Sequence, residues 1–366
     1  MDQIYQCSKS GLTVSLIKGL GSERDMAERE LADVGFVLPL SCRAVWASNL
    51  NRWEPWFLVV KGTDGRACAG VGIEQAHTRA MPGYRILRVR RFGDSLPTNI
   101  CQIILAGLNE LARKYPRILR VQVQVFSREK REEIGALLED LGFRENLPPT
   151  VYRHTLVIDL RPGEEEIFAT FNDSSRNKIR KTMRKSGQSV VITDPIYSER
   201  LKELQQEALN RTGGHIAGED WNAVLKLSRE HPEISQVFGL FLGEDKSPDS
   251  MAAFGWVCNH GDHGEYRAAG STRRPDVKIP FGYLVAWDMI RWAKATGAVW
   301  FDMGGVTVAD GTEPALEGIS NFKRSFSREV AEVGAEWIIE PSPMHARIAD
   351  AVSQGTHRLR GLITKS

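Results

Sequence analysis

A chain of 366 residues, 42% hydrophobic and 26% charged, is long enough for about two domains and too apolar to be disordered. A formal net charge of +2 excludes a wholly basic nucleic-acid binder, so any anionic partner must be met by a local patch. No apolar run approaches the ~20 residues that span a bilayer, which excludes stable membrane insertion.

Further expectations come from the N-terminus and the cysteines. No basic segment followed by an apolar one opens the sequence, so no signal peptide is expected. Cys7, Cys42, Cys68, Cys101 and Cys258 are dispersed without CxxC spacing, which predicts reduced thiols in the cytoplasm and no zinc site.

Residues 56–62, 67–75 and 84–92 are short apolar or alternating runs and predict strands. Residues 97–115 place Ile100, Ile103, Ile104, Leu108 and Leu111 at helical spacing, with Pro97 near the start. A strictly alternating strand follows at 118–126, then a charged helix at 128–141 that ends on Gly142, a left-handed cap. Pro148 and Pro149 break the pattern. The boundary is placed there, giving domains 1–149 and 150–366.

The second half repeats the order. A strand at 155–160 leads into helices at 164–185, 199–211 and 221–230. Strands at 236–243, 251–258 and 265–271 precede a long helix at 280–297, a buried strand at 298–303, a strand at 329–339 and a C-terminal helix. Antiparallel-looking strands, a helix, a strand, a helix and a strand occur twice, a repeat of pattern without visible identity.

Several motifs carry more. Residues 155–187, TLVIDLRPGEEEIFATFNDSSRNKIRKTMRKSG, join a strand ending in Asp-Leu to an acidic helix and Arg-Asn-x-Ile-Arg-Lys. LNRTGG at 209–214, LVAWDMIRWAKATGAVWFDMGGV at 284–306 and GISNFKRSF at 318–326 follow. Together they resemble the second domain of the FemABX peptidyltransferases, and ALLEDLGFRE at 136–145 is similar to the late helix-to-strand turn of GNAT acyltransferases. The resemblance implies an α/β fold of two tandem GNAT-like acyltransferase domains, with mixed, mostly antiparallel sheets flanked by helices. It also implies no bound cofactor, aminoacyl-tRNA as donor, and a peptidoglycan or sugar-linked precursor as acceptor, lying in a cleft on the first domain.

The long coiled-coil arm of some members is absent, and TVADGTEP at 307–314 departs from the pattern. A related branch uses acyl-CoA to modify polysaccharides or other amines, so acyl-CoA is the alternative donor. The acetyl-CoA signature R/Q-x-x-G-x-G/A is missing, and RRPDVKIPFGY at 273–283 fills its place only loosely. A third reading is a binding module that kept the fold without the chemistry.

Arg176, Lys178, Arg180, Lys181, Arg184 and Lys185 are cations with no acid between Asp173 and Asp194. Arg176, Arg180 and Arg184 share one helical face, with Ile179 and Met183 as a thin apolar seam. Uncompensated like charges disfavour an isolated helix, and phosphates of tRNA or of a diphosphate-linked precursor relieve the repulsion. A solvated face is the alternative.

In FDMGG, Gly304 and Gly305 carry neither GxGxxG nor GK[ST], and they read as a strand end that turns close to bound substrate. Asp302 is either an anchor for that turn's N–H groups or catalytic. In NFKRSF, Lys323 suits the oxyanion of an attacked ester and Phe322 suits stacking on a terminal base, unless Phe322 and Phe326 only dock their helix on the core. The resemblance places the donor's acceptor end at this Phe-Lys pair.

Glu265 and Tyr266 are candidates for the general base, and Tyr266 also for substrate contact. His260 and His263 read as a turn, and His215 as part of a loop over the substrate. Trp53 and Trp56 read as cleft wall or core, and Arg88, Arg90 and Arg91 as contacts to a precursor diphosphate. The C-terminal helix, with Arg358, Arg360 and Lys365, is expected to dock on the second domain or touch an anionic membrane surface.

Overall fold

The computed structural model describes residues 1–50, 54–93, 96–186, 189–212, 218–272, 279–307 and 317–363. The chain divides into two compact units, one of Met1–Val151 with Val333–Ser366, the other of Tyr152–Glu332. The first stretch forms β1 (Asp2–Gln6), β2 (Thr13–Lys18), α1 (Ser22–Asp33), α2 (Ala44–Leu50), β3 (Trp56–Lys61), β4 (Ala67–His77), β5 (Arg85–Phe92), α3 (Thr98–Lys114), β6 (Ile118–Phe126), α4 (Arg131–Asp140) and β7 (Arg144–Glu145). The second unit forms β8 (His154–Asp159), α5 (Glu164–Thr170), α6 (Asp173–Ser186), β9 (Val190–Val191), α7 (Ser198–Thr212), α8 (Trp221–Glu230), β10 (Ser235–Phe241), β11 (Met251–Asn259) and β12 (His263–Ser271). It continues with α9 (Phe281–Ala295), β13 (Trp300–Gly305), α10 (Glu317–Arg324) and β14 (Val330–Glu332). The chain then returns to the first unit as β15 (Gly334–Ile339) and α11 (Pro343–Ile363).

Each unit is built on one sheet, of order β1-β2-β3-β4-β5-β6-β15-β7 in the first and β14-β8-β13-β12-β11-β10-β9 in the second. The two share one device. Three antiparallel strands (β3–β5, β10–β12) are followed by a helical crossover to a parallel partner, α3 between β5 and β6, α9 between β12 and β13. In the first unit Cys101, Ile104, Leu108 and Leu111 of α3 fall at spacings of three and four and bury against Leu58, Leu87, Val121 and Val123. In the second, α9 is apolar on most of its circumference, with Leu284, Val285, Met289, Ile290 and Ala293 buried. Its approach to the sheet is close enough that a Cβ on Gly264 would stand 2.5 Å from that of Ala293. The α4 helix ends as its sequence predicts: Gly142 has φ 83° and the Phe143 amide donates to Leu138 O at 2.9 Å.

The C-terminal segment differs from expectation. The single strand read over 329–339 is two strands in two sheets: Ala331 of β14 pairs with Thr155 of β8, whereas Ala335 of β15 pairs with Val125 of β6 and Trp337 with Glu145 of β7. Only Val333 separates them, so apolar alternation runs straight through the exchange. Within the first sheet β15 carries Glu336, fully buried, which accepts hydrogen bonds from the Asn146, Thr150 and Gln124 side chains. The C-terminal helix docks on the first unit rather than the second. Ala346 and Ala349 pack on Leu119 beside Met81 and Tyr84, and Arg120 bridges Glu340 and Asp350. The domain read as 150–366 therefore gives up everything from Val333 onward.

Candidate active site

The site grows from the end of β13. Asp302 stands in register with Glu265 of the parallel β12 and with Val157 of the antiparallel β8. Its side chain is completely buried, and a carboxylate there requires donors. It accepts from Tyr152 Oη at 2.6 Å, from the Gly304 amide at 2.8 Å and from the Thr155 hydroxyl. Those bonds stabilise a slip in the β13–β8 pairing between Asp302 and Gly305, with Gly304 at φ 72°, a left-handed conformation suited to glycine. Asp302 thus has the geometry of the turn anchor, and Gly304 and Gly305 the geometry of a strand end.

Lys323 projects from α10 onto that turn. It is buried, and its Nζ donates to Gly305 O at 2.7 Å and lies 5.8 Å from the Tyr266 ring centroid. Burial pushes its ammonium down to about 8, against the opposing pull of Asp302 and Glu265. Burial pushes the half-buried Tyr266 phenol up. The helix is tied to the strand end from its other side as well: Ser320 Oγ accepts from the Thr307 amide at 3.1 Å and the Arg324 guanidinium donates to Thr307 O.

Phe322 lies edge-on to Tyr283 at 4.9 Å and to Phe326 at 5.3 Å. Phe326 belongs to the core, whereas Phe322 stays half-buried at the edge of the aromatic cluster. Lys178 of α6 reaches the same cluster, with Nζ 3.0 Å from Tyr283 Oη and 4.3 Å from the ring centroid. The fold therefore gathers Lys323, Asp302, Gly304, Gly305, Tyr266, Phe322 and Lys178 in one neighbourhood of the second unit.

It does not gather the rest of the basic helix there. Arg176 turns back on its own chain, donating to Ala169 O at 2.6 Å and pairing with Asp173. Arg180 is exposed, its guanidinium 5.2 Å over the Phe168 ring, and Arg184 is exposed with Nε 3.4 Å from Arg180 O. Lys181 and Lys185 are exposed too. The seam also differs from the reading: Ser175, Ile179 and Thr182 are buried, whereas Met183 is 37% exposed. Ile179 holds its place in the seam, whereas small polar residues take the part given to Met183.

Glu265, read as a general-base candidate, and His260, read as part of a turn, form a buried pair that the sequence does not show. His260 and His263 flank the β11–β12 turn as expected, yet both rings are buried, and His260 Nε2 lies 2.8 Å from Glu265 Oε2. The visible signal was two histidines and a glutamate at the mouth of a hairpin. In the first unit Trp56 is core, packed 5.4 Å from Tyr115. Arg88 donates to Gln122 at 2.7 Å, Arg90 pairs with Glu74 at 2.8 Å and Arg91 stacks 3.5 Å over Phe126. Trp53, His215, 273–278, most of the 307–314 loop, Lys365 and the side chains of Arg358 and Arg360 lie outside the described residues. Among the described residues no cluster of three or more His, Cys, Asp or Glu side chains suits a metal ion.

Two mixed sheets, each closed by a parallel β–α–β crossover after an antiparallel meander, define an α/β fold of two tandem GNAT-like units. The FemAB family model matches residues 275–354, a stretch that includes β13, Phe322 and Lys323 and runs on into β15 and α11. Among solved structures, FemX is similar over 91% of this chain and 100% of its own at 14% identity, with a TM-score of 0.70. L-PGS from Bacillus licheniformis is similar over 91% of this chain and 98% of its own at 16% identity, with a TM-score of 0.52. At such identities the likeness to these two is one of fold. No curated protein matches the chain. The family match and the fold agree with the FemABX resemblance carried by the motifs.

Proposed function

We propose that the protein is an aminoacyltransferase that moves an aminoacyl group from charged tRNA to an amine of a peptidoglycan precursor. The observation that carries this reading is the buried Lys323 at the Gly304–Gly305 strand end, beside the half-buried Phe322 and within the stretch matched by the FemAB model. When an amine attacks the ester carbonyl, a C–N bond forms and negative charge develops on the carbonyl oxygen. A desolvated ammonium stabilises that oxyanion far better than an exposed one would. The tetrahedral species then expels the terminal ribose hydroxyl of the carrier, and the proton lost by the amine balances the one the hydroxyl gains. With an ammonium that titrates near 8, roughly nine-tenths of the lysines are charged at pH 7.

Phe322 offers a face for the terminal base of the carrier, and the exposed Arg180, Lys181, Arg184 and Lys185 offer charge to its phosphates. Charged tRNA places the reaction in the cytoplasm. Among the described residues no helix is long and apolar enough to cross a membrane.

The test is donor discrimination: a labelled acyl group is presented on charged tRNA or on acyl-CoA, with a peptidoglycan precursor or an amino sugar as acceptor. Turnover from tRNA that Lys323→Ala abolishes supports the reading. Turnover from acyl-CoA alone, or none with either donor, overturns it.

A further inference from the structure

Lys323 is a cation removed from water, so fixed groups around it must oppose the loss of its proton. From β13 it faces Asp302, whose oxygens already accept from the Tyr152 and Thr155 hydroxyls and the Gly304 amide. From β12 it has the Tyr266 ring at 5.8 Å and the charge of the neighbouring Glu265 acting on it, and it donates to the Gly305 carbonyl at 2.7 Å. Glu265 stands in register with Asp302 across the parallel pair, so the two carboxylates leave the same face of the sheet.

Glu265 is 6% exposed and is held from two directions. His260 Nε2 is 2.8 Å from Oε2, and an Arg267 nitrogen is 3.5 Å from Oε1, with the other fork of Arg267 3.8 Å from Glu219. The His260 ring is itself wedged. It stacks on His263 at 4.8 Å with 9° between planes, and His263 stacks on Trp300 at 4.3 Å with 18°. Asp262 clamps the far end, with Oδ1 2.6 Å from His263 Nδ1 and Oδ2 accepting from Trp300 Nε1 at 3.3 Å. Partial burial alone would raise the Asp262 carboxyl, but the His263 and Trp300 bonds bring it to about 2, so the clamp is ionised at neutral pH.

Three stacked rings and a clamp are far more structure than a hairpin turn needs. At its buried end this stack meets the Glu265 carboxylate through His260. We propose that Glu265, oriented by His260 and its ring stack, is a positioning residue that keeps Lys323 in its ammonium form for acyl transfer. This rests on the reading of Lys323 as the oxyanion donor. Without the brace the carboxylate loses the bond that holds Oε2 and keeps Arg267 at Oε1. Without the carboxylate, Lys323 loses an opposing charge.

The experiment follows Lys323 itself and needs neither donor nor acceptor. The full chain is produced with 13C-labelled lysine, the Lys323 Cε resonance is assigned by its loss in Lys323→Arg, and its titration is followed from pH 6 to 11. Glu265→Gln is expected to lower the midpoint by about one pH unit, the low end of what an opposing charge does to a neighbour. His260→Gln is expected to lower it by less. In the transfer assay the high-pH limb of the kcat/KM profile moves down with the midpoint. An unchanged midpoint in folded Glu265→Gln overturns the proposal, even if that variant is less stable. Should Glu265→Gln fail to fold, His260→Gln decides by the same sign. A shifted midpoint without any turnover would uphold the electrostatic assignment and sink the transferase reading, so the two failures are separable.

Discussion

Replacing Lys323 by methionine is expected to make the protein more stable and inactive at once. The side chain is 7% exposed, and burial lowers its ammonium from 10.5 to about 8. A gap of about 2.5 units is worth about 3 kcal/mol at 1.36 kcal/mol per unit. The sign is fixed by proton counting. Between pH 8 and 10.5 the unfolded chain binds more protons at this site than the folded one, so stability from this group rises with pH and the penalty is complete below about 8. Methionine has a similar length and no charge, so it removes the penalty and forfeits the Nζ bond to Gly305, worth about 1 kcal/mol. Lys323→Met should therefore be about 2 kcal/mol more stable at pH 7, with its advantage shrinking as pH rises and reversing at about pH 10. Urea unfolding at pH 7, 8.5 and 10 measures this. A variant less stable than the parent at pH 7, or a difference that does not change with pH, would refute the reasoning.

Other expectations follow from the same contacts. Asp302→Asn keeps one acceptor oxygen for the Thr155 hydroxyl and the Gly304 amide but turns an NH2 toward the Tyr152 hydroxyl, and it removes a buried negative charge, so it should cost about 1–3 kcal/mol in denaturant unfolding. Gly305→Ala would bring a Cβ to 2.6 Å from that of Tyr152, and should cost about 1–3 kcal/mol and impair transfer, read by unfolding and by turnover. Charge reversal of the exposed Arg180 and Arg184 to Glu should weaken tRNA binding and flatten its log–log salt slope by about 2, measured by filter binding from low to high salt. Equal slopes would return the helix to a solvated face. Burial raises the Glu336 carboxyl, but hydrogen bonds led by those of Thr150 and Asn146 leave it below 4.5 on balance, so its contribution is present above that value and lost as pH falls through the folded pKa. Acid unfolding of Glu336→Gln should lack that loss.

The strands and helices that build each crossover were legible because their periods are local: alternation at 118–126 and the three-four spacing of α3 need no partner to be read. Lys323, Phe322, Gly304 and Gly305 were legible as a group from the motifs that contain them. The basic helix was only half legible. Its charge is visible in the sequence, but whether a guanidinium faces out or folds back depends on Ala169 O and Asp173, which a helical wheel omits. Ser175 and Thr182 were missed as seam residues because burial of a hydroxyl is decided by its surroundings, not by hydropathy. The Glu265–His260 pair was hidden for the opposite reason. Nothing in a five-residue turn tells that its histidines will stack under a tryptophan forty residues away.

The return of β15 to the first sheet has a consequence for the order in which the protein can be made. The strand that separates β6 from β7 emerges from the ribosome only after all of Tyr152–Glu332. Until then the first unit has an open edge on β6, and the polar side chains of Gln124, Asn146 and Thr150 wait without the carboxylate that they will surround. The second unit needs no later segment than its own β14 and can close first. Vectorial synthesis would thus favour completion of the domain that begins second, and the domain that begins first would be sealed by the last strand of the chain.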